Sequence, residues 1–139
     1  LEQFTLRPKY RERAEEGFRA FSNVLRSRAA ALPKMLCALD YFLDRPLQIA
    51  LIEPENGIKS TAFQDILSGY FIPNRAITHI RAGQELKSNA QAIPWLKRKK
   101  PLGQKTTAYI CRGSVCELPT NDLAKFKEGL LRYQQGPHL

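Results

Sequence analysis

Between Pro46 and Ile80 the apolar residues change period twice, and that change limits the folds open to the chain. Leu47, Ile49, Leu51 and Ile52 form a short apolar run with no glycine before Gly57. Its length suits a strand. Ala62, Phe63, Ile66, Leu67, Tyr70 and Phe71 then recur at the spacing of one buried helix face. Ala76-Ile77-Thr78-His79-Ile80 follows as a second β-prone run. Strand, helix and strand over about thirty residues read as a right-handed βαβ unit, because parallel strands need a crossover of that length.

The flanking segments extend this reading. Residues 8 to 31 are expected to form one long amphipathic helix, with Tyr10, Ala14, Phe18, Phe21 and Leu25 on its apolar stripe. Pro8 suits its start, and Pro33 closes it and opens a second helix over 33 to 43, so residues 1 to 45 read as a helical hairpin. After Asp44-Arg45-Pro46 comes the first strand, then the turn Glu53-Pro54-Glu55-Asn56-Gly57, with Ser60 or Thr61 as cap of the crossover helix. Residues 81 to 105 are the least organised and suggest a short helix near 88 to 96 and a basic loop. Thr106 to Cys111 reads as a third strand, and 121 to 134 as a final helix capped by Thr120 or Asn121. Strands 47 to 53, 76 to 80 and 106 to 111 are separated by enough chain for crossovers, so they are expected to be mutually parallel. The fold class is therefore α/β. It is a small Rossmann-like layered domain over 46 to 139, with a mostly parallel sheet of about three strands, preceded by the helical hairpin.

A chain of 139 residues that is 43% hydrophobic can bury a core of ordinary size. No apolar run approaches the roughly 18 residues of a membrane span, and no signal segment opens the chain. It begins at Leu1, not Met, and reads as part of something longer. Cys37, Cys111 and Cys116 are an odd set, too few for a disulfide-stapled secreted module, so a reducing, cytoplasmic setting is expected. The net charge of +9 raises an anionic partner.

The chemistry-bearing residues point to little catalysis. In a nucleotide-binding βαβ unit glycines let the backbone approach a pyrophosphate. Here Glu53 and Glu55 occupy that turn with one glycine, and carboxylates repel phosphates. Cys111 and Cys116 form a C-x4-C pair, a spacing unlike that of thioredoxin sites. They read as two slowly reacting thiols at a strand end, Arg112 being the only cation beside them in sequence, with a thiol redox module, in which a tight loop at Gly113 brings the sulfurs together, as the alternative. Only Cys37, His79 and His138 could extend the pair into a metal site, at irregular spacing, so no metal and no cofactor are expected. His79 reads as a packed or edge histidine. Asp40, Asp44, Glu53, Glu55 and Asp65 are scattered over helix ends and turns as caps and solvated groups. Ser114 lacks the G-x-S-x-G context of a serine hydrolase. Lys97, Arg98, Lys99 and Lys100 beside Trp95 read as a solvated basic loop, with a basic nucleic-acid-binding domain as the alternative.

Three phrases carry a resemblance: Leu32-Pro33-Lys34-Met35-Leu36-Cys37-Ala38-Leu39-Asp40, Phe71-Ile72-Pro73-Asn74-Arg75, and the run from Ala108 to Thr120. In this order they resemble the C-terminal region of the YyaL and spermatogenesis-associated thioredoxin-domain family. The resemblance implies a thioredoxin-like domain, then an α/α toroid like that of six-hairpin glycosidases, then a terminal α/β domain. Residues 1 to 45 would match the last toroid helices and 46 to 139 the terminal domain, with the redox sequence upstream of Leu1. No catalytic motif of the family transfers to a residue of this chain. The resulting expectation is a noncatalytic domain with a structural or interaction role. Its partners would be the upstream domains of its own parent, or a second copy through Tyr10, Phe18, Phe21 or Leu25 of the hairpin. Neither nucleic acid nor a membrane is the expected partner.

Overall fold

A computed structural model describes residues 1–57, 60–113 and 115–135. Strand β1 (Leu47–Glu53) runs through the middle of the molecule, and all seven of its residues are buried. A strand covered on both faces has no solvent side, which is why its sequence is nearly continuous in apolar residues. Strand β2 (Arg75–Arg81) lies parallel to β1, from Leu47 opposite Arg75 to Glu53 opposite Arg81. Helix α5 (Ala62–Ser68) makes the crossover between them, as the changes of period require.

The expected direction of the third strand is corrected. Strand β3 (Thr107–Arg112) pairs antiparallel with the other side of β1, and a short β4 (Val115–Cys116) pairs antiparallel with β3. The sheet therefore has four strands in the order β2-β1-β3-β4 and is mixed, with one parallel pair, not the three parallel strands of a Rossmann-like layer. Chain length permits a crossover but does not compel one. Residues 82 to 106 leave β2 beside Glu53 and enter β3 opposite Ile52, so they start and finish at the same end of β1. The tight loop at Gly113 is the turn of a β3–β4 hairpin, and its second arm is a strand beyond the three expected. Gly113, at φ 60°, takes the left-handed conformation at its turn, where a residue with a Cβ is strained.

Two apolar layers sandwich the sheet. On one face Leu47, Ile49, Leu51, Ala108 and Ile110 meet Phe63 and Leu67 of α5 and Phe126 and Leu130 of α7 (Leu123–Gln135). The rings of Phe63 and Phe126 meet edge to face at 5.1 Å. On the other face Ala50, Ile52 and Ile80 meet Leu96, with Tyr109, Trp95 and the Leu86 and Ala90 side chains of α6 (Gln84–Ala92) packed around them. Each fully buried side chain of this size contributes about 1.5 to 3 kcal/mol of burial.

Several helix boundaries shift for local reasons. Helix α6 begins at Gln84, four residues before the expected start, because Gly83 at φ 91° turns the chain sharply after β2. A short 3-10 turn follows at Pro94–Leu96. Helix α5 stops at Gly69, so Tyr70 only flanks the core and Phe71, expected on the buried face, is 79% exposed. Helix α7 is capped by Asp122, not by Thr120 or Asn121. Its Oδ1 accepts from the Ala124 and Lys125 N–H groups at 2.8 and 3.2 Å.

The long first helix is broken. Beyond α1 (Glu2–Thr5), α2 (Pro8–Ala20) and α3 (Ser22–Ser27) are separated at Phe21, and α4 (Pro33–Leu43) follows a short 3-10 turn. Phe18 of α2 meets Phe42 of α4 edge to face at 5.2 Å. No residue from 1 to 45 is buried. Polar bonds tie this layer to the sheet domain: Asn74 Nδ2 donates to Asp40 and Asp44 at 2.8 and 3.1 Å, and Gln48 Nε2 to the Gln3 carbonyl at 3.0 Å. No described helix is long and apolar enough to cross a membrane.

Candidate functional site

The pleat of β3 decides which residues face each layer, since successive side chains alternate. Ala108 and Ile110 enter the α5–α7 layer, which leaves Tyr109 and Cys111 on the α6 side. Across the hairpin Cys111 stands opposite Cys116, and the two are joined by a disulfide with Cα atoms 3.9 Å apart. This corrects the expectation of two thiols. Directly opposed residues on an antiparallel pair come close enough for a bond when their side chains share a face, a proximity that C-x4-C spacing alone does not reveal. The two sulfurs differ in access: Cys111 is buried, whereas Cys116 on the edge strand is exposed. Cys37 is free and exposed on α4.

The basic run arrives at the same place. Leu96 is buried in the second layer and anchors the strap that follows. Lys99 N–H donates to the Leu96 carbonyl at 3.1 Å, and Arg98 takes φ 69° in the tight turn between them. That turn sends Lys99 back towards the sheet. Its Nζ lies 4.5 Å from the Tyr109 ring centroid, 5.8 Å from that of Trp95 and 3.7 Å from Cys111 Sγ. The Tyr109 hydroxyl holds the strap in place, donating to the Lys100 carbonyl at 2.8 Å and accepting from the Lys100 N–H at 3.2 Å. Burial holds the Lys99 ammonium below the ordinary lysine range. Among the described residues no carboxylate pairs with it.

The run is thus divided. Lys97, Arg98 and Lys100 are exposed, and Lys99 is turned inward. Arg112, the cation adjacent to Cys111 in sequence, is engaged elsewhere: its Nε donates to the Arg45 carbonyl at 2.9 Å and its Nη2 lies 3.7 Å from Asp44. The sequence therefore indicated the cysteines and the basic run but not their meeting. The signal that could have linked them is the aromatic pair Trp95 and Tyr109, one on each segment.

A second polar cluster lies at the carboxyl end of the parallel pair. Glu53, 5% exposed, reaches His79 Nε2 at 2.7 Å and Arg81 Nη2 at 3.6 Å. The Gln64 amide donates to His79 Nδ1, which leaves the imidazole hydrogen on Nε2 to donate to Glu53. Glu53 was read as a turn carboxylate and His79 as a packed histidine. They form one hydrogen-bonded pair around a buried carboxylate, at the end of the parallel strands where a βαβ unit would receive a phosphate. His79 is therefore committed away from the cysteines, and among the described residues no three metal-ligating side chains converge. Ser114 and His138 lie outside the described residues.

No family model matches the chain, and no solved structure matches it. It is 27% identical over 121 residues to an uncharacterized protein, B0495.5, of Caenorhabditis elegans, covering 86% of this chain and 16% of that protein. It is 25% identical over 109 residues to Spermatogenesis-associated protein 20 of Homo sapiens, covering 78% of this chain and 14% of that protein. Both relatives are several times longer than this chain. The second bears the name of the family that the three phrases resemble.

Proposed function

We propose that this chain is a noncatalytic α/β module of a longer polypeptide, and that its layer α2–α4 docks against further helices of that polypeptide. The observation that carries this reading is the complete lack of buried residues from 1 to 45. Phe21, Leu43 and Phe71 are 48%, 72% and 79% exposed, and each forfeits part of the about 1.5 to 3 kcal/mol that full burial would supply. Leu43 and Phe71 line two neighbouring pockets that share Asp44, Pro73, Asn74 and Arg112. The small share of each relative that the chain covers supports a longer parent, and the resemblance to a toroid-containing family supports helices as the occupant. On this reading 1 to 45 belong with the helical body and 46 to 139 form the terminal domain.

Amide hydrogen exchange tests the proposal. The α2–α4 amides are expected to exchange far faster than those of β1 in this chain alone, and to become protected in a longer polypeptide that includes the upstream helices. Concentration-dependent dimerisation that protects the same amides would assign the face to a second copy instead. A monomer whose α2–α4 amides are as protected as β1, and unchanged in the longer polypeptide, overturns the proposal.

A further inference from the structure

We propose that the Cys111–Cys116 disulfide is a thiol-exchange site, in which an incoming small-molecule thiolate attacks Cys116 and Cys111 leaves as a thiolate facing the Lys99 ammonium. The inference is independent of what the helical layer docks against. Three observations carry it.

Access selects the attacked sulfur. Cys116 lies exposed on a two-residue edge strand, and Cys111 is 2% exposed, so only one end of the bond is open to a nucleophile. Charge selects the leaving sulfur. Exchange is faster when the departing thiol has a low pKa, and a cation beside it lowers that pKa. Lys99 Nζ, at 3.7 Å from Cys111 Sγ, is that cation. The third observation is the state of Lys99 itself. It is a partly buried ammonium held over the face of Tyr109, without a carboxylate partner among the described residues. Opening the disulfide supplies the anion it lacks, so the reduced form gains an ion pair that the oxidised form does not have. A staple that serves stability alone would benefit from a longer loop than the one between residues five apart, which the hairpin already closes.

The chemistry balances without any further reactant. A thiolate RS⁻ forms a bond to Cys116 Sγ, the Cys111–Cys116 bond breaks, and its electron pair passes to Cys111 Sγ. A second thiolate attacks the substrate sulfur of the mixed disulfide, releasing RSSR and the Cys116 thiolate. Two thiols are oxidised and one protein disulfide is reduced. In reverse, Cys116 attacks a substrate disulfide and the Cys111 thiolate resolves the adduct.

The test is equilibration of the full chain with reduced and oxidised glutathione, quenched by acid and alkylation, with peptide mass spectrometry to locate the adduct. The glutathione adduct is expected on Cys116. Lys99→Met is expected to slow exchange and to shift the equilibrium towards the disulfide by about tenfold, equal to about 30 mV, whereas Lys99→Arg retains most of the wild-type behaviour. Circular dichroism confirms that each variant is folded. Should Lys99→Met not fold, titration of Cys111 in reduced wild-type protein decides, with a thiol pKa below the ordinary value of about 8.5 expected. An adduct on Cys111, a disulfide inert to millimolar glutathione, a folded Lys99→Met with unchanged rate and equilibrium, or an ordinary Cys111 pKa overturns the proposal.

Discussion

Lys99 Nζ lies 3.7 Å from Cys111 Sγ across a separation of 12 residues in the chain, so one cation of the basic run and one half of the cysteine pair form a single site. Tyr109, two residues before Cys111, supplies the face beneath the ammonium and the hydroxyl that pins the strap. The arrangement depends on β3 and the strap approaching from the same side of the sheet.

Burial of Lys99 has a pH signature. Its folded pKa lies below the ordinary 10.5, so between those two values the unfolded chain carries a proton that the folded chain has lost. Stability of the oxidised protein therefore rises with pH across that window and carries a constant penalty below it. Urea denaturation from pH 8 to 10.5 should show this rise in the wild type. In Lys99→Met the rise should be smaller, and equal slopes in the two proteins would contradict the assignment.

Glu53 should be costly to truncate. Its carboxylate is buried and accepts from His79 Nε2, and leaving that N–H without an acceptor costs about 1 to 3 kcal/mol. Glu53→Ala is expected to remove that much unfolding free energy in a denaturant titration. A loss below about 1 kcal/mol, the range of exposed pairs, would show that the cluster is effectively solvated.

Strongly exposed apolar side chains should behave in the opposite way. Leu43→Gln and Phe71→Gln replace side chains that are 72% and 79% exposed, so each should change the stability of this chain by no more than about 0.5 kcal/mol. In a longer polypeptide with the upstream helices the same changes should lower the melting temperature clearly. Equal small effects in both settings would count against docking through these residues.

Asp122 links a helix cap to the acid limb of stability. The Lys125 and Ala124 N–H groups hold its carboxyl below the ordinary value of 3.8. A depressed folded pKa gives stabilisation that is present above the unfolded pKa and is lost as pH falls through the folded one. Asp122→Ala should lower the melting temperature at pH 7 and narrow the gap from wild type below pH 3. A gap that is constant with pH would rule out the cap as its source.

Local periodicity carried much of the architecture. The apolar run of β1, the 3.6-residue pattern of α5 and the second run at β2 indicated the strand-helix-strand order and permitted the parallel pair, because each period suits one kind of element and the connection is long enough to cross over. Phe126 and Leu130 in α7 were legible as core residues for the same reason. The two relatives, at 27% and 25% identity, are consistent with the family that three sequence phrases resemble without showing this chain's role.

What periodicity could not decide was direction and meeting. A strand pattern reads the same whether its neighbour runs with it or against it, so the antiparallel placement of β3 came from where residues 82 to 106 begin and end on β1. Gly69 ended α5 before Tyr70 and Phe71 could extend its buried stripe, although both fit that stripe by spacing. The residues that matter most at the candidate sites lie far apart in sequence: Glu53 with His79, Gln48 with Gln3, and Lys99 with Cys111. Their side-chain types showed what each could do chemically, but which partner each found was a property of the closed sheet and its two layers. The sequence by itself determined the kinds of most elements and much of the core, since these follow from near-neighbour sterics and burial. Tertiary structure alone decided that the two cysteines are bonded and that a lysine faces one of them, because a pairwise approach of a few ångströms depends on strand register and strap path rather than on spacing along the chain.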